Sequence, residues 1–351
     1  MRINPLLLTD GYKLGHKSET PEGTTRTFSN LTPRGSRIGT DYAMWFGLQY
    51  AVKEYLIDRF NEDFFDRPKD EVMEEINATV TSYLGPGFDT SHFGALHNLG
   101  YLPVRIKALP EGSKVPLRTP VMTIHSTHDD FYWLTNYLET LLSSLLWMPS
   151  TSLTTAYMYR QTFNEYAEKT GSPDFVDFQG HDFSFRGFSS PESAIVSGMA
   201  FLTCFKGTDC IPYDYWSVLT DFLPKLKAQI MARDGGPDSL DKVVIRPDSG
   251  DPVKIICGWH NNQLRKGTDG YDVLEAERKG SIEILWDLFG GTINSKGYKE
   301  LDPHIGLIYG EAITPERQTQ IFKMLEAKGF ASTNVVLGLG SYGFQCKSRD
   351  S

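Results

Sequence analysis

Residues 243–250 read VVIRPDSG, and this stretch decides the fold class. Its β-branched residues run directly into Arg246 and Asp248, which is the pattern of a buried strand that ends in a polar loop. The stretches 305–311 (IGLIYGE) and 334–341 (NVVLGLGS) repeat this pattern. Because helical segments lie between such strands, the sequence predicts a parallel sheet or an α/β barrel, with a site at the carboxyl ends of the strands.

The segment between the last two of these strands has helix boundary signals. Thr314 is a favourable N-cap residue, and Pro315 follows it at the first helical position, where a missing N–H costs nothing. Gly329 is suited to the position after the last turn. We therefore predict a helix that begins at Pro315 and ends before Gly329.

The first half of the chain has a different pattern. Residues 102–125 alternate apolar and polar positions between Pro and Gly, which predicts short antiparallel strands. Residues 131–148 are apolar on nearly every side over a helical length, which predicts a buried helix. No internal repeat or low-complexity linker is present. We expect an N-terminal α+β domain over 1–149 and an α/β barrel domain over 150–351.

Composition disfavours several classes of function. With 40% hydrophobic residues among 351, the chain has enough apolar material for a large core. Its net charge of -9 and its lack of a long basic run disfavour binding to nucleic acid or to an anionic membrane. The N-terminal apolar run, Leu6 to Leu8, is too short for a signal peptide or a membrane span, which predicts a cytoplasmic protein. The cysteines show no disulfide or zinc spacing, and we expect reduced thiols at Cys204, Cys210, Cys257 and Cys346.

Residues 181–194, HDFSFRGFSSPESA, combine three groups that can bind a ligand. Phe183 offers a ring for stacking, Arg186 offers a guanidinium for phosphate, and the Ser-Ser-Pro-Glu helix start offers backbone N–H groups to an anion. The alternative is a core Phe183 together with an ion pair between Arg186 and Asp182.

Two further loops carry candidate site residues. In FKGTDC, Asp209 follows an apolar run and either points a carboxylate into a site or belongs to an ordinary turn. In VVIRPDSGDP, Arg246 can hold a pyrophosphate or a pyridine amide, and Asp248 can hold sugar hydroxyls. Pro247 fixes the backbone between them. The alternative here is a structural pair of Arg246 with Asp248.

A glycine-rich loop, GLGSYG, is the third candidate. Gly340 and Ser341 would allow a phosphate to approach the backbone closely, and Arg349 follows them. Taken alone, such a loop is a weak indication of a phosphate site.

Seven motifs of this chain occur in the order found in nicotinamide phosphoribosyltransferases, and the chain resembles that family over almost its whole length. They are TDGYK (9–13), FGLQY (46–50), YWLTNYLET (132–140), HDFSFRG (181–187), FKGTD (205–209), IRPDSG (245–250) and NSKGY (294–298). The resemblance implies a type II phosphoribosyltransferase fold, an irregular α/β barrel with an accompanying β-rich α+β domain. It also implies a homodimer whose active sites lie across the subunit interface.

Carried over position by position, the resemblance implies roles in binding the base. Phe183 and the partner subunit's Tyr12 would stack on the two faces of the pyridine ring, and Asp10 belongs to the same motif as Tyr12. Asp209 would accept a hydrogen bond from the carboxamide NH₂. Arg246 would contact the amide and the diphosphate.

The resemblance likewise implies contacts to the phosphates and the ribose. Arg186 and Arg34 would face the diphosphate, and Asp248 would bind the ribose. Asp248 and Arg246 are therefore the residues predicted to act in catalysis. The remaining implied contacts are Gly310 and Glu311 with the ribose hydroxyls, and Ser341 and Arg349 with the 5′-phosphate.

The chain departs from the family pattern in several places. Glu311 stands where the family usually has Asp, and Ser341 stands where it has Gly, so the pocket must adjust its geometry. After Pro212 the family has a long segment with a Glu-His-Ser loop whose histidine is phosphorylated by ATP, whereas here Pro212 leads directly into YDYWSVLTDF. The family's C-terminal strands would follow residue 351, so we expect the barrel domain to be incomplete. His181, the histidine nearest the predicted site, is expected to be structural.

The implied reaction joins nicotinamide to 5-phosphoribosyl 1-pyrophosphate, giving nicotinamide mononucleotide and diphosphate in NAD salvage. A leaving diphosphate must be neutralised, which predicts Mg²⁺ beside the arginines, and ATP is a further candidate as a coupled activator. The sequence does not identify the metal ligands. Two alternatives stay open: a nicotinate phosphoribosyltransferase, disfavoured by the charge of Asp209, and a non-catalytic binding protein on the same fold, favoured if the ATP loop is absent.

Overall fold

A computed structural model describes residues 3–208, 243–247, 250–259, 275–303 and 305–340. The described chain divides between Thr151 and Ser152 into two units, and each unit has its own hydrophobic core. The point of division lies within one long helix, Glu139–Thr170.

The strands and helices of the described residues are numbered in chain order. The strands are β1 (Phe28–Leu31), β2 (Tyr42–Met44), β3 (Val104–Ala108), β4 (Lys114–Pro116), β5 (Met122–Ser126), β6 (Gly180–Asp182), β7 (Val243–Ile245), β8 (Gly291–Ile293), β9 (Lys299–Leu301), β10 (Ile305–Tyr309) and β11 (Val335–Leu339). The α-helices are α1 (His16–Glu19), α2 (Leu48–Tyr50), α3 (Lys69–Leu84), α4 (Ser91–Leu99), α5 (Leu134–Tyr137), α6 (Glu139–Thr170), α7 (Val176–Gln179), α8 (Pro191–Leu202), α9 (Pro252–Cys257), α10 (Glu275–Phe289) and α11 (Pro315–Ala327). Two π-helical segments, Ala51–Arg59 and Asn61–Phe65, follow α2.

The N-terminal unit contains an antiparallel sheet in the order β1-β5-β3. The strands predicted within residues 102–125 are confirmed, since β3 pairs antiparallel with β5 and places Val104 opposite Ser126. A separate antiparallel pair is formed by β2 and β4. The described part of this unit has more residues in helices than in strands, whereas the resemblance implied a β-rich domain.

The helix predicted over residues 131–148 is buried, as expected, but its bounds differ. It is split into α5 and α6 at Leu138, where the backbone ψ of -6° departs from the helical value near −42°. Beyond the split, α6 continues through Pro149 to Thr170. Gly47, at φ 103°, provides the space for the proline ring, because a Cβ there would lie 2.5 Å from Cγ of Pro149.

The second unit contains a parallel sheet in the order β6-β11-β10-β7, which confirms the predicted strands β7, β10 and β11 and their parallel pairing. Its first strand, β6, pairs with its last described strand, β11, and this is the pairing by which an α/β barrel closes. The predicted helix is also confirmed. Thr314 accepts a hydrogen bond from the N–H of Arg317, Pro315 begins α11, and Gly329 follows the helix at φ 75°.

Two expectations from composition can be compared with the described residues. Cys204 and Cys257 are free thiols, and burial raises the pKa of the Cys257 thiol to about 12. Cys210 and Cys346 lie outside the described residues. Within the described ranges, every helix is too short or too polar to cross a bilayer.

The NSKGY motif has a structural role at the end of α6. The last carbonyl groups of a helix have no partner within it. Here Asn294 Nδ2 donates to the carbonyl of Thr170 at 2.7 Å, and Lys296 Nζ donates to the carbonyls of Ala167, at 2.9 Å, and of Glu168. Asn294 Oδ1 in turn accepts the backbone N–H of Lys296. The motif therefore caps the helix with side chains from the β8–β9 hairpin.

We expect Asn294→Ala to lower the free energy of unfolding by about 1–3 kcal/mol, because the carbonyl of the buried Thr170 and the backbone N–H groups of Lys296 and Tyr298 lose their partner. Chemical denaturation measures this free energy from the unfolding transition of the second unit. Asn164→Ala is the matched control, since Asn164 is exposed on the same helix and accepts one bond, from Arg160. Equal losses in the two variants would contradict a capping role for Asn294.

Candidate functional site

The parallel sheet of the second unit brings several predicted site residues to one edge. Because its strands run in the same direction, their carboxyl ends meet. β6 is followed by Phe183, β7 by Arg246, β10 by Gly310 and β11 by Gly340. The Cζ atom of Arg246 lies 5.2 Å from the centroid of the Phe183 ring, so at least these two side chains are in contact.

The Phe183 ring packs closely against β11 at a position where that strand has a glycine, Gly338. A Cβ on Gly338 would be 2.5 Å from Cε2 of Phe183 and 2.8 Å from Cα of Gly310. The backbone N–H of Phe183 donates to the carbonyl of Leu339 at 3.0 Å, which extends the β6–β11 pairing by one residue. The ring is half-buried and therefore keeps accessible surface for a ligand.

The Arg246 guanidinium approaches the backbone after β10. An added Cβ at Gly310 would be 3.3 Å from Nη2 of Arg246, so a larger residue would crowd the guanidinium. Tyr309, the residue before Gly310, donates its hydroxyl to the carbonyl of Gly250 at 2.9 Å and so holds the chain that follows Arg246. A guanidinium beside an aromatic ring suits an aromatic ligand that carries an acceptor or anionic group.

The loop after β10 is held in a rare backbone conformation. Glu311 is exposed, and the next residue, Ala312, has φ 52°, in the left-handed region that costs a residue with a Cβ about 1 kcal/mol or more. Arg317 donates to the carbonyl of Ala312 at 2.6 Å, and Tyr159 donates its hydroxyl to the carbonyl of Ile313 at 2.9 Å. These bonds maintain the loop that carries Glu311.

The loop after β6 contains the second predicted arginine. Arg186 lies in the 3₁₀ helix Phe185–Gly187 and is exposed. The alternative ion pair with Asp182 is wrong, because Asp182 is fully buried and its carboxylate accepts from the backbone N–H of Ser184 and the hydroxyl of Thr208. Arg186 thus remains available to an anion at this edge.

The predicted residues Asp10 and Tyr12 lie in the N-terminal unit. Tyr12 belongs to the 3₁₀ helix Gly11–Leu14 and is 56% exposed. Lys13 is buried beside it, donating to Asn136 Oδ1 at 2.7 Å and pairing with the Glu139 carboxylate. Asp10 accepts from the hydroxyl of Thr140 at 2.7 Å. The TDGYK and YWLTNYLET motifs therefore bind each other, and this contact presents Tyr12 outward.

Two further predicted residues lie within the described ranges. Arg34 lies in the loop after β1 of the N-terminal unit and is exposed, and Pro247 follows Arg246 and is half-buried. Outside the described residues lie Asp209, Asp248, Ser341 and Arg349. Over the ranges that the structure describes, no three His, Cys, Asp or Glu side chains converge as a metal site would require.

Three residues that organise these loops were not predicted. Gly338 interrupts a strand, which is a signal of close backbone approach that could have identified it. Lys13 lies inside a quoted motif, and Asp182 precedes Phe183 directly. Nothing in the sequence distinguishes these two from surface charges, because their burial depends on residues far along the chain.

Comparison with known proteins gives matches over most of the chain. Residues 4–94 match a family model described as nicotinamide phosphoribosyltransferase, N-terminal domain, and residues 211–351 match that of the nicotinate phosphoribosyltransferase family. A nicotinamide phosphoribosyltransferase of Acinetobacter baylyi is 40% identical over 416 aligned positions, which cover 100% of this chain and 81% of the relative. A second nicotinamide phosphoribosyltransferase, of Mycoplasma pneumoniae, is 31% identical, and the alignment covers 99% of this chain and 87% of the relative.

The alignment to the Acinetobacter protein spans 416 positions, whereas this chain has 351 residues, so the relative has residues within the aligned region that this chain lacks. Among solved structures, nicotinate-nucleotide pyrophosphorylase from Pyrococcus furiosus matches with a TM-score of 0.48 and 14% identity, covering 97% of this chain and 72% of the other.

We expect Gly338→Ala to destabilise the second unit by about 1–3 kcal/mol, because the added methyl group would overlap the Phe183 ring and the Cα of Gly310, directly after β10. Gly340→Ala is the matched control, since a Cβ there would have nothing within 4 Å. Denaturant unfolding measures both. Phe183→Leu should recover part of the loss in a double-mutant cycle. Full additivity of the two substitutions would contradict the overlap with the ring.

Proposed function

The chain belongs to the nicotinamide phosphoribosyltransferase family, and we propose that it transfers the phosphoribosyl group of 5-phosphoribosyl 1-pyrophosphate to nicotinamide. The products are nicotinamide mononucleotide and diphosphate, and the reaction serves NAD salvage. The observation that carries the proposal is the meeting of the Phe183 ring and the Arg246 guanidinium beside Gly310, at the carboxyl edge of the parallel sheet.

Phe183 and Arg246 together can bind the base. A pyridine ring stacks on an aromatic ring in an offset arrangement, and its substituent then extends past the edge of that ring. With the Arg246 Cζ atom 5.2 Å from the Phe183 centroid, the guanidinium is close enough to donate to a carboxamide oxygen there. Asp209 would accept from the amide NH₂. The pair thus orients the base, and orientation is a large part of the barrier of a two-substrate reaction.

The chemical step replaces one bond at the anomeric carbon by another. The lone pair of the pyridine nitrogen forms the new C–N bond while the bond to the diphosphate oxygen breaks, so the base needs no deprotonation. Arg246 and Arg186 would neutralise the leaving diphosphate, and Asp248 would stabilise the positive charge that develops on the ribose. Gly310, Glu311, Gly340, Ser341, Arg349 and Arg34 would hold the ribose hydroxyls and the phosphates.

Mg²⁺ is proposed as the cofactor, bound with the diphosphate. Mg²⁺ sites of this kind use substrate phosphates, water and one or two carboxylates, so a cluster of three protein ligands is not required. When bound, the ion would neutralise further charge on the leaving group. ATP is proposed as a coupled activator, which assays with and without ATP test.

We propose a cytoplasmic homodimer in which the partner subunit's Tyr12 completes the base site. The exposure of Tyr12, on a segment anchored by the buried Lys13, supports this proposal. A nicotinate phosphoribosyltransferase and a non-catalytic binding protein are not favoured, since the relatives that are 40% and 31% identical over the chain are named nicotinamide phosphoribosyltransferases.

Base selectivity tests the proposed function. We expect the wild type to prefer nicotinamide in kcat/KM, because the Asp209 carboxylate accepts from an amide and repels the carboxylate of nicotinate. Asp209→Asn should lower kcat/KM for nicotinamide. It should also reduce the ratio of kcat/KM for nicotinamide to kcat/KM for nicotinate. Both bases are assayed with phosphoribosyl pyrophosphate and Mg²⁺, with and without ATP. Asp174→Asn, at an exposed position, is the control. A wild-type preference for nicotinate would favour the nicotinate enzyme.

Truncation of Tyr12 tests the shared site. Tyr12→Ala should raise the KM for nicotinamide by about tenfold, through loss of a stack worth roughly 1–1.5 kcal/mol. Tyr12→Phe keeps the ring and should resemble the wild type. Tyr101→Ala removes another exposed tyrosine of the same unit and should leave the KM unchanged. Sedimentation should show a dimer at micromolar concentration, and a monomer with full activity would exclude the partner's Tyr12 from the site.

A further inference from the structure

A buried carboxylate lies directly before the Phe183 ring. Asp182 ends β6 and is 0% exposed. Its Oδ1 accepts from the backbone N–H of Ser184 at 2.9 Å, and its Oδ2 accepts from the hydroxyl of Thr208 at 3.1 Å. Each carboxylate oxygen therefore has a donor, which is what burial of such a group requires.

The hydrogen bond from Thr208 joins two segments of the chain at the edge of the sheet. Asp182 also donates its backbone N–H to the carbonyl of Gly207 at 3.3 Å, so Thr208 pairs with it as a short parallel bridge. Gly207 lies against the ring of His181, where a Cβ would be 3.0 Å from Cε1. The segment at Thr208 is thus attached to β6 on the side opposite β11.

Phe183 is held from both sides as a result. On one side its backbone N–H bonds to Leu339 of β11, and on the other Asp182 is bonded to Thr208. His181 packs against the Phe183 ring at 4.7 Å between ring centroids. A change in the position of Asp182 would therefore move the ring relative to Arg246.

We propose that Asp182 is a positioning residue, which acts through its bond with Thr208 to hold Phe183 where the base stacks. The inference rests on the proposed function for the identity of the base. It concerns Asp182, Thr208 and Phe183 only; Asp209, the next residue after Thr208, lies outside the described residues. Asp182 itself does not touch the substrate.

Thr208→Val tests the proposal in the full chain, because it keeps the shape of the side chain and removes the hydroxyl. We expect the KM for nicotinamide to rise by about fivefold to tenfold, while kcat and the KM for phosphoribosyl pyrophosphate stay within about twofold. Thr208→Ser restores the donor and should return the KM for nicotinamide to near the wild-type value. Asp182→Asn retains an acceptor and the side-chain volume, so its KM for nicotinamide should lie between those of the wild type and Thr208→Val.

Thr203→Val is the matched control, since Thr203 is exposed nearby and its hydroxyl bonds locally at the end of α8, donating to the carbonyl of Ala200 and lying 3.8 Å from the sulfur of the adjacent Cys204. It should leave all kinetic constants near wild type. An unchanged KM for nicotinamide in Thr208→Val would overturn the proposal. Equal changes in the KM for both substrates would do so too, because they indicate a general loss of structure. Failure of Thr208→Ser to restore the KM is a third contrary result.

Hydrogen exchange of the ligand-free protein separates this proposal from the proposed function. Thr208→Val should speed amide exchange in both segments 180–188 and 203–208, whereas Thr208→Ser and Thr203→Val should not. If the wild type does not use nicotinamide, the proposed function fails, and the exchange rates still decide whether the Asp182–Thr208 bond holds the Phe183 segment. Unchanged amide exchange at 180–188 in Thr208→Val would refute the positioning role of Asp182.

Discussion

The parallel pairing of β6 with β11 is the constraint on which the candidate site depends. It joins the first strand of the second unit to its last described strand, although more than 150 residues separate them along the chain. Because β10 and β7 continue the same sheet in parallel, the chain leaves all these strands at one edge. Phe183 and Arg246 meet there although they are distant in sequence. Without this pairing, each loop would be an isolated turn.

Close packing at this edge places strict limits on side-chain size. Gly338 leaves room for the Phe183 ring, and Gly310 leaves room for the Arg246 guanidinium. Protein interiors transmit such steric constraints because they are packed as densely as organic crystals. The buried Asp182 adds a polar constraint, since its carboxylate must keep its hydrogen-bond donors. The ring is thus located by steric fit on one side and by hydrogen bonding on the other.

The N-terminal unit uses a buried charge for a similar purpose. Lys13 reaches Asn136 and Glu139 across more than 120 residues of sequence, and this leaves Tyr12 exposed on an anchored segment. A buried ammonium that loses its partner is costly, so the segment has one strongly preferred position. Asp10, which is exposed, adds a second long-range contact by accepting from the hydroxyl of Thr140. Both units therefore present an aromatic ring from a segment that is fixed by long-range polar contacts.

The amino-acid sequence by itself determined the strands at 243–245, 305–309 and 335–339 and the helix from Pro315, because β-branched runs, an N-cap threonine and a terminal glycine act locally. It also indicated the ring and the guanidinium through their motifs. It did not reveal that α6 continues through Pro149, since the space for that ring comes from Gly47. Only the tertiary structure decided which loops meet and which charges are buried, because strand pairing and burial depend on residues far apart in the chain.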